Sequence, residues 1–415
     1  MVTIKFRLYG FGLVIVAIAV LFSQCLQEGP SRDPRQNGYA GAGACTGCHK
    51  DLQQSYFHTA HANTSAPAGA HNIAGSFHPD SNTYHYTNTA RVVMSKDGEA
   101  YFQTAWHGDS LVQKQAFDIV IGSGQKAQTY LYWLDDKVYQ LPVSYYIPAG
   151  KWANSPNYPA HQVRFDRNIP VGCFECHSSY IKRTAIEAFG EFRIDRFARN
   201  QVVYGIDCER CHGPAAKHVA FHTDSPEVTT SKYLIPYRTL THTQQMDMCS
   251  VCHSGIREVK RTPFYFRPGT ELSDFLEPPA TMPSTDSIDV HGNQLQLLKA
   301  SACYLQSGTV TCTTCHEPHK DERNNKAVFS VKCMSCHKPS TPQYCKMEST
   351  YGDQLQVNCI DCHMPEKNSV MVSLRSQGDS MATPNKVRTH YIAVYEAESK
   401  RFAEAHGLSP IKSKK

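Results

Sequence analysis

The feature that most constrains this chain is the motif Cys-x-x-Cys-His, which occurs seven times and takes up fourteen of the seventeen cysteines. Two thiols on one helical turn reach the two vinyl groups of a porphyrin, and the next imidazole then lies beneath the iron. Zinc ribbons and thioredoxin-like pairs do not keep histidine in the fifth place, so the pattern predicts seven covalently bound c-type haem groups. The cysteines are Cys45, Cys48, Cys173, Cys176, Cys208, Cys211, Cys249, Cys252, Cys312, Cys315, Cys333, Cys336, Cys359 and Cys362. The histidines that follow them are His49, His177, His212, His253, His316, His337 and His363.

The spacing of the motifs predicts where the haem groups crowd together. From Cys45 to the second motif at Cys173 there are 128 residues, whereas the later steps are 35, 41, 63, 21 and 26 residues. Segments this short cannot build a conventional apolar core, so we expect the porphyrins to fill it, wrapped by short helices and loops. We therefore predict a mainly helical and irregular haem-packed fold, with a small antiparallel β module in the long gap (α+β).

The long gap carries the pattern of two β-hairpins. Residues 90–106 hold two apolar or alternating runs around a turn at 96–98, and residues 127–146 repeat the arrangement around 135–136. Such runs joined by short Asp- or Gly-containing turns are typical of hairpins. Residues 391–408 are instead predicted to be helical.

The N-terminus has the pattern of an export signal. Two basic residues precede an almost wholly apolar run at 11–22. This run is too short for a membrane-spanning helix, which needs about 20 apolar residues. Cys25 is placed like the lipid-bearing cysteine of a bacterial lipoprotein. The alternatives are a secreted protein cut after Ala19 and an uncleaved anchor. We expect the protein on the periplasmic side of the cell envelope, anchored to the membrane as a lipoprotein.

These features divide the chain into five segments. They are a signal peptide (1–24), a tether (25–43), an N-terminal region with the first haem and the hairpins (44–165), a haem-rich region (166–395) and a C-terminal tail (396–415).

The net charge argues against nucleic acid as a partner. The formal charge is +5, but each oxidised bis-histidine haem adds about −1, because its two ionised propionates outweigh the one net positive charge of the iron–porphyrin. The haem-loaded mature protein is therefore expected to be acidic. No basic run is present, and nucleic-acid binding is not predicted. The expected partners are redox proteins, either quinol-linked or other cytochromes.

Longer strings around the motifs resemble a known family. The strings are IGSGQKAQTYLYWLDDKVYQLPVSYY with KWANSPNY, GIDCERCHGPAAKHV, DVHGNQ with TCTTCHEPH, and CIDCHMPEKNSVMV. They are similar to bacterial multihaem cytochromes, some of which carry tetratricopeptide repeats. The first motif with FHTAHA resembles the cytochrome c-554 module, whose relatives accept electrons from hydroxylamine oxidoreductase. The resemblance implies haem binding and electron transfer in the cell envelope. This chain departs from it in having no repeat region.

Electron-transfer haems of this class usually need a second axial histidine, and fourteen histidines lie outside the motifs. The resemblance implies His218, His291 and His390 as such ligands, and His319 is similarly placed in CHEPH. His58 and His61 lie three residues apart, on one face of a helix. One of them is expected to bind iron and the other to bond a propionate, with His61 the stronger candidate by resemblance. The full set of candidates for the second axial position is His58, His61, His218, His291, His319 and His390.

Two cysteines remain in the second half of the chain, Cys303 and Cys345. An exported protein permits a disulfide, and this pairing is the simplest interpretation. The sharper alternative is Cys345 as a thiolate ligand, because the family often has histidine near this position. Met347 and Met364 are interpreted as packing residues.

Two functions from different classes fit the motifs. The first is an electron carrier that passes electrons along seven haems. The second is a haem reductase or oxidoreductase that acts on a small nitrogen or sulfur compound at one open haem. All seven motifs keep histidine, with no lysine in its place, which favours the carrier. A third possibility is a relay subunit between membrane complexes.

Overall fold

The computed structural model of the chain describes residues 33–36, 38–278, 285, 287–355 and 358–408, and of Asp353 and Gln354 it describes the backbone only. The predicted signal peptide, Cys25 and most of the predicted tether lie outside these ranges. Within the described ranges, no helix has the length and apolar character needed to cross a membrane.

The helices are short, and most of them carry a haem motif. They are α1 (Ala42–Thr46), α2 (Lys50–Tyr56), α3 (Val171–His177), α4 (Cys208–His212), α5 (Ala216–Asp224), α6 (His242–His253), α7 (Gln294–Lys299), α8 (Ala302–Ser307), α9 (Cys312–Cys315), α10 (Lys326–Met334), α11 (Glu348–Tyr351), α12 (Ile360–His363) and α13 (Glu396–Ala405). A helical hydrogen bond joins the motif histidine N–H to the carbonyl of the first cysteine, as from His49 to Cys45 at 3.0 Å. This bond places the imidazole and the thiols on the same side of the turn.

The strands form three sheets. They are β1 (Ser65–Pro67), β2 (Thr83–His85), β3 (Ala90–Asp97), β4 (Ala100–His107), β5 (Ser110–Ala116), β6 (Ile119–Ile121), β7 (Ala127–Leu134), β8 (Lys137–Gln140), β9 (Val143–Tyr146), β10 (Lys151–Asn154), β11 (Ser178–Phe189), β12 (Phe192–Tyr204), β13 (Glu366–Ser376) and β14 (Thr383–Arg388). An eight-stranded sheet runs β1-β6-β7-β9-β10-β13-β14 with β8 beside β7, a four-stranded sheet runs β2-β3-β4-β5, and β11 pairs with β12 alone.

The prediction of a mainly helical fold with a small β module was wrong, because the chain is strand-rich. Both predicted hairpins are present, as β3–β4 and as β7–β8. The eight-stranded sheet is larger than predicted because β13, from the far end of the chain, pairs with β10 and places Ala153 opposite Ser376. The long ribbon β11–β12, between the second and third motifs, also lies in a segment that was predicted to be helical or irregular. Helix α13 confirms the predicted C-terminal helix.

The main core lies between the four-stranded and eight-stranded sheets. It is a cluster of fourteen buried apolar residues. The four-stranded sheet contributes Val92 and Met94. Phe117, Tyr130 and Trp152 lie on or beside the eight-stranded sheet. The aromatic rings pack edge to face, for example Phe117 on Tyr130 with centroids 4.6 Å apart, an arrangement that adds to the free energy of burial.

A second core attaches the haem region to this sandwich. Phe174, inside the second motif, packs on Phe197 of β12 with ring centroids 5.6 Å apart, and each ring is only 1% exposed. Further along the chain the apolar clusters are small, and the largest, around Phe266 and Phe275, has four buried residues among those described. The segments that carry the later motifs therefore bury few apolar side chains against one another.

Candidate haem-binding sites

Four of the seven motif histidines are oriented by hydrogen bonds at Nδ1. The acceptors or partners are Thr64 Oγ1 for His177 (3.0 Å), Gln294 Oε1 for His253 (3.3 Å), the Gln343 carbonyl for His337 (2.9 Å) and the Ala393 carbonyl for His363 (2.9 Å). Bonding of Nδ1 leaves Nε2 free to bind a metal and fixes the plane of the ring. The sequence alone gave no signal for Thr64 or Gln343 in this role.

Four motif histidines each face a second histidine from elsewhere in the chain. The ring centroids are 6.4 Å apart for His49 and His218, 6.1 Å for His61 and His253, 5.9 Å for His212 and His319, and 6.0 Å for His316 and His390. Every pair joins one motif histidine to one of the histidines predicted from the sequence as a second ligand.

These separations fit an iron atom between the two rings. A metal–nitrogen distance of about 2.0 Å on each side, plus about 1.2 Å from nitrogen to ring centre, gives about 6.4 Å between the centres of two axial imidazoles. Rings in direct contact lie closer, as do His218 and His222 with centroids 4.5 Å apart. The thiols of the motifs and the paired imidazoles therefore form the donor set that c-type haem requires.

Burial keeps several of these imidazoles neutral, the form that binds a metal. It lowers the pKa of His61, His177 and His390 to about 4 in each case. After burial, the electrostatic effect of His291 lowers the pKa of His177 most, so this predicted ligand is a neighbour of the second motif.

The pairs do not follow the order of the sequence. His218 follows the third motif but faces His49 of the first, and His61 follows the first motif but faces His253 of the fourth. His58, which was predicted together with His61, is exposed and has no ring partner among the residues that the structure describes. Its backbone N–H is bonded to the Ser55 carbonyl at 3.4 Å.

Three motif histidines, His177, His337 and His363, have no second histidine ring in contact. All 21 histidines lie in described parts of the chain, and no second histidine ring lies beside His337 or His363. His337 is exposed, whereas His363 is half-buried next to α13.

Thiols from different motifs are electrostatic neighbours of one another. The neighbours are the first and third motifs (Cys45, Cys208), the second and fourth (Cys176, Cys252), the fourth and fifth (Cys249, Cys312) and the sixth and seventh (Cys333, Cys359). Since each thiol marks one edge of a porphyrin, the motifs are arranged edge against edge.

A buried ion-pair cluster joins the tether to the third motif. Arg35 Nη2 lies 2.7 Å from Asp33, 2.5 Å from Asp207 and 3.3 Å from Glu209, and the four side chains are at most 6% exposed. Burial alone would raise the pKa of Asp33, but its hydrogen bonds to Arg35 lower it. The three carboxylates lie close enough together to hold a metal ion, yet the guanidinium of Arg35 already forms an ion pair with each of them.

Glu209 also fixes the backbone around the first haem motif. Its carboxylate accepts hydrogen bonds from the N–H groups of Ala40 (2.9 Å), Gly41 (2.8 Å) and Ala215 (2.8 Å). Helix α1 begins immediately after Gly41. The first and third motifs are thus held together through the second residue of the third motif, a role that the sequence did not reveal.

The disulfide predicted between Cys303 and Cys345 is not formed. The thiols have different neighbours: Cys303 is close to Cys315 and Cys336, and Cys345 is close to Cys362.

Comparisons with known proteins agree with this donor set. No protein-family model matches the chain. Over 211 residues the chain is 25% identical to the multiheme cytochrome MtrA of Shewanella baltica (strain OS185), a match that covers 46% of this chain and 61% of MtrA. The chain therefore spans less than two thirds of the length of that relative.

Among solved structures, the chain is similar to the outer cell wall cytochrome OcwA. The TM-score is 0.53 at 16% sequence identity, over 90% of this chain and 83% of the other. At this identity the likeness concerns the fold alone. The two comparisons support the class of multihaem c-type cytochromes that the motifs predict, and the fold is that of a multihaem cytochrome.

Proposed function

We propose that this chain is an electron-transfer protein of the cell envelope that carries seven covalently bound c-type haem groups. The observation that carries the proposal is the set of four histidine pairs with centroids 5.9 to 6.4 Å apart, each containing a motif histidine. Bound haem supplies a one-electron iron couple. In four of the seven motifs the chain would hold the iron between two histidine imidazoles. Hydrogen bonds at Nδ1 fix three of these rings, those of His218, His253 and His319.

The contacts between motifs support a continuous path for electrons. Thiol pairs link motif one to three, two to four, four to five, and six to seven. Cys211 and Cys252 are electrostatic neighbours, as are Cys315 and Cys336, which connects motif three to four and five to six. The path runs from the first motif through the third, fourth, fifth and sixth to the seventh, with the second attached at the fourth.

The partners that we propose are other redox proteins, either quinol-linked or further cytochromes. An outward location is supported by the kind of haem, which is attached outside the cytoplasm, and by the name of the outer cell wall cytochrome whose fold the chain shares. Anchoring through a lipid on Cys25, and kinship with the cytochrome c-554 family, remain part of this proposal.

The proposal is tested by counting haem groups and electrons on the same exported sample. Intact mass is expected to show seven haem additions, and a reductive titration is expected to take up seven electrons per chain. A variant with Cys45→Ser and Cys48→Ser serves as the calibration, because it should lose one haem and one electron. A wild-type protein with fewer than seven haem groups would overturn the proposal.

A further inference from the structure

One candidate axial ligand differs from the others in the group that its ring nitrogen meets. Nδ1 of His319 lies 3.0 Å from Oε1 of the Glu317 carboxylate. The other motif histidines and candidate ligands that bond through Nδ1 meet neutral groups, which are a hydroxyl, a side-chain amide or a backbone carbonyl: Thr64 for His177, Lys232 for His218, Gln294 for His253, Gln343 for His337 and Ala393 for His363. In the part of the chain that the structure describes, His319 is therefore the one ring of this set that is bonded to a carboxylate.

The sequence His-Glu-Pro-His at 316–319 builds this arrangement. Helix α9 ends just before His316, which is extended with φ −116° and ψ 136°. The proline disfavours a helical conformation at the residue before it, so the helix does not continue. His316 belongs to the fifth motif, whereas His319, three residues later, faces His212 of the third. Glu317 therefore lies between ligands of two different haem groups.

Hydrogen bonds within the loop set the position of the Glu317 carboxylate. Its Oε1 accepts a bond from the backbone N–H of His319 at 3.2 Å, in addition to the bond at Nδ1 of the same residue. The backbone N–H of Glu317 donates to Oε2 of Glu322 at 2.9 Å. Glu322 is held in turn by Lys332, whose Nζ lies 2.6 Å from its other oxygen. The carboxylate and the ring are thus fixed against each other by the loop itself.

The charge of Glu317 acts mainly on the His319 ring. Among the described residues, no lysine or arginine forms an ion pair with this carboxylate, and Lys320 is only an electrostatic neighbour. An ionised carboxylate can only accept a hydrogen bond, so Nδ1 carries the proton and Nε2 is left for the metal. A charged acceptor bonds more strongly than a neutral one and makes the imidazole a more basic ligand. A more basic ligand stabilises the oxidised iron and lowers the reduction potential of the haem.

The third motif also lies beside a second source of negative charge. Three buried carboxylates surround the single guanidinium of Arg35. Two of them, Asp207 and Glu209, act electrostatically on Cys208, the first thiol of this motif. Negative charge favours the oxidised form of a haem, which carries one more positive charge than the reduced form. Glu317 acts in the same direction through the axial ligand.

We propose that Glu317 is a positioning residue for the third haem. It orients the His319 imidazole, makes it a stronger donor to the iron and holds the reduction potential of this haem below the value that a neutral acceptor would give. The inference rests on the proposed function, since it requires haem at the third motif with His212 and His319 as ligands. It assigns a lowered potential to a haem inside the electron path, between the first and the fourth.

Replacing Glu317 by glutamine in the full haem-loaded chain tests this role. The amide keeps an acceptor at the same distance but removes the charge, and charge-assisted hydrogen bonds are roughly twice as strong as neutral ones. The third haem should become easier to reduce, by about tenfold in its equilibrium, or about 59 mV for one electron. The measurement is a spectroelectrochemical titration, in which one of the seven one-electron steps should move to higher potential by this amount.

Asp321→Asn is the matched control. Asp321 lies four residues later in the same loop, is exposed, and bonds the backbone N–H of Arg323. Its substitution removes the same charge from the loop without touching the His319 ring, and should move no step. Equal shifts in the two variants would overturn the proposal, because the net charge of the loop would then account for the effect.

The route of the effect is tested in a His319→Met background, which keeps an axial donor but has no Nδ1 to bond. There the further change Glu317→Gln should shift no step. A shift that persists would assign the effect to the fifth haem, beside His316, and would overturn the proposal.

Glu317→Gln in the otherwise unchanged chain decides the inference if the His319 variant does not fold. Seven haem groups with the same potentials as in the wild type would overturn the role of Glu317 and leave the proposed function intact. A haem count below seven in the wild type would instead overturn the proposed function.

Discussion

Replacing His61 by alanine is expected to convert one haem from low spin to high spin. His61 faces His253 of the fourth motif with ring centroids 6.1 Å apart, and its burial lowers its pKa to about 4, so it is a neutral donor in position. Without this ring the fourth haem keeps only the motif histidine. The measurement is the number of high-spin haem groups per chain by paramagnetic resonance, which should rise by one over the wild type.

His58 provides the matched control, since it lies three residues earlier, is exposed and contacts no other ring within the described part of the chain. His58→Ala should leave the spectrum unchanged. His61→Met should keep the haem low-spin but raise its reduction potential, because methionine in place of histidine raises the potential of a haem. An unchanged spin state in His61→Ala, or the same change in His58→Ala, would contradict the assigned pair.

Replacing Arg35 by methionine is expected to give the largest loss of stability. The change removes the cation from among Asp33, Asp207 and Glu209, where the Arg35 side chain is 1% exposed. Breaking a buried ion pair by removing one partner costs about 3–5 kcal/mol, since the other charges stay buried without compensation. The free energy of unfolding of the haem-loaded protein, measured with denaturant, should fall by this amount.

Arg164→Met is the control for that experiment. Arg164 forms an ion pair with Asp166 at 2.5 Å, but both side chains are well exposed, at 48% and 61%. Exposed pairs contribute little to stability, so this variant should unfold like the wild type. Equal effects of the two substitutions would show that the Arg35 cluster does not hold the first and third motifs together.

Local patterns in the sequence predicted the local parts of the structure. Each Cys-x-x-Cys-His motif lies within one helical turn, and the hairpin β3–β4 is closed by a turn inside the same segment. Both depend on residues close together in the chain, so spacing and turn residues are sufficient to predict them.

Local patterns of this kind do not indicate contacts between distant segments of the chain. The pairing of Ala153 with Ser376 enlarges the sheet, and no local signal indicates it. The predicted second ligands included the partners of four motif histidines, yet which motif each serves depends on the folded chain, as His61 beside His253 illustrates. Glu209 occupies one of the two unspecified positions of its Cys-x-x-Cys-His motif, and only the fold shows that its carboxylate accepts hydrogen bonds from Ala40 and Gly41.

The central claim is tested most directly by an experimental structure of the haem-loaded protein at a resolution that shows the axial ligands. The account predicts seven haem groups, with an iron atom between the rings of each of four pairs: His49 and His218, His61 and His253, His212 and His319, His316 and His390. Iron atoms bound by different histidine pairs, or motifs without haem, would contradict it.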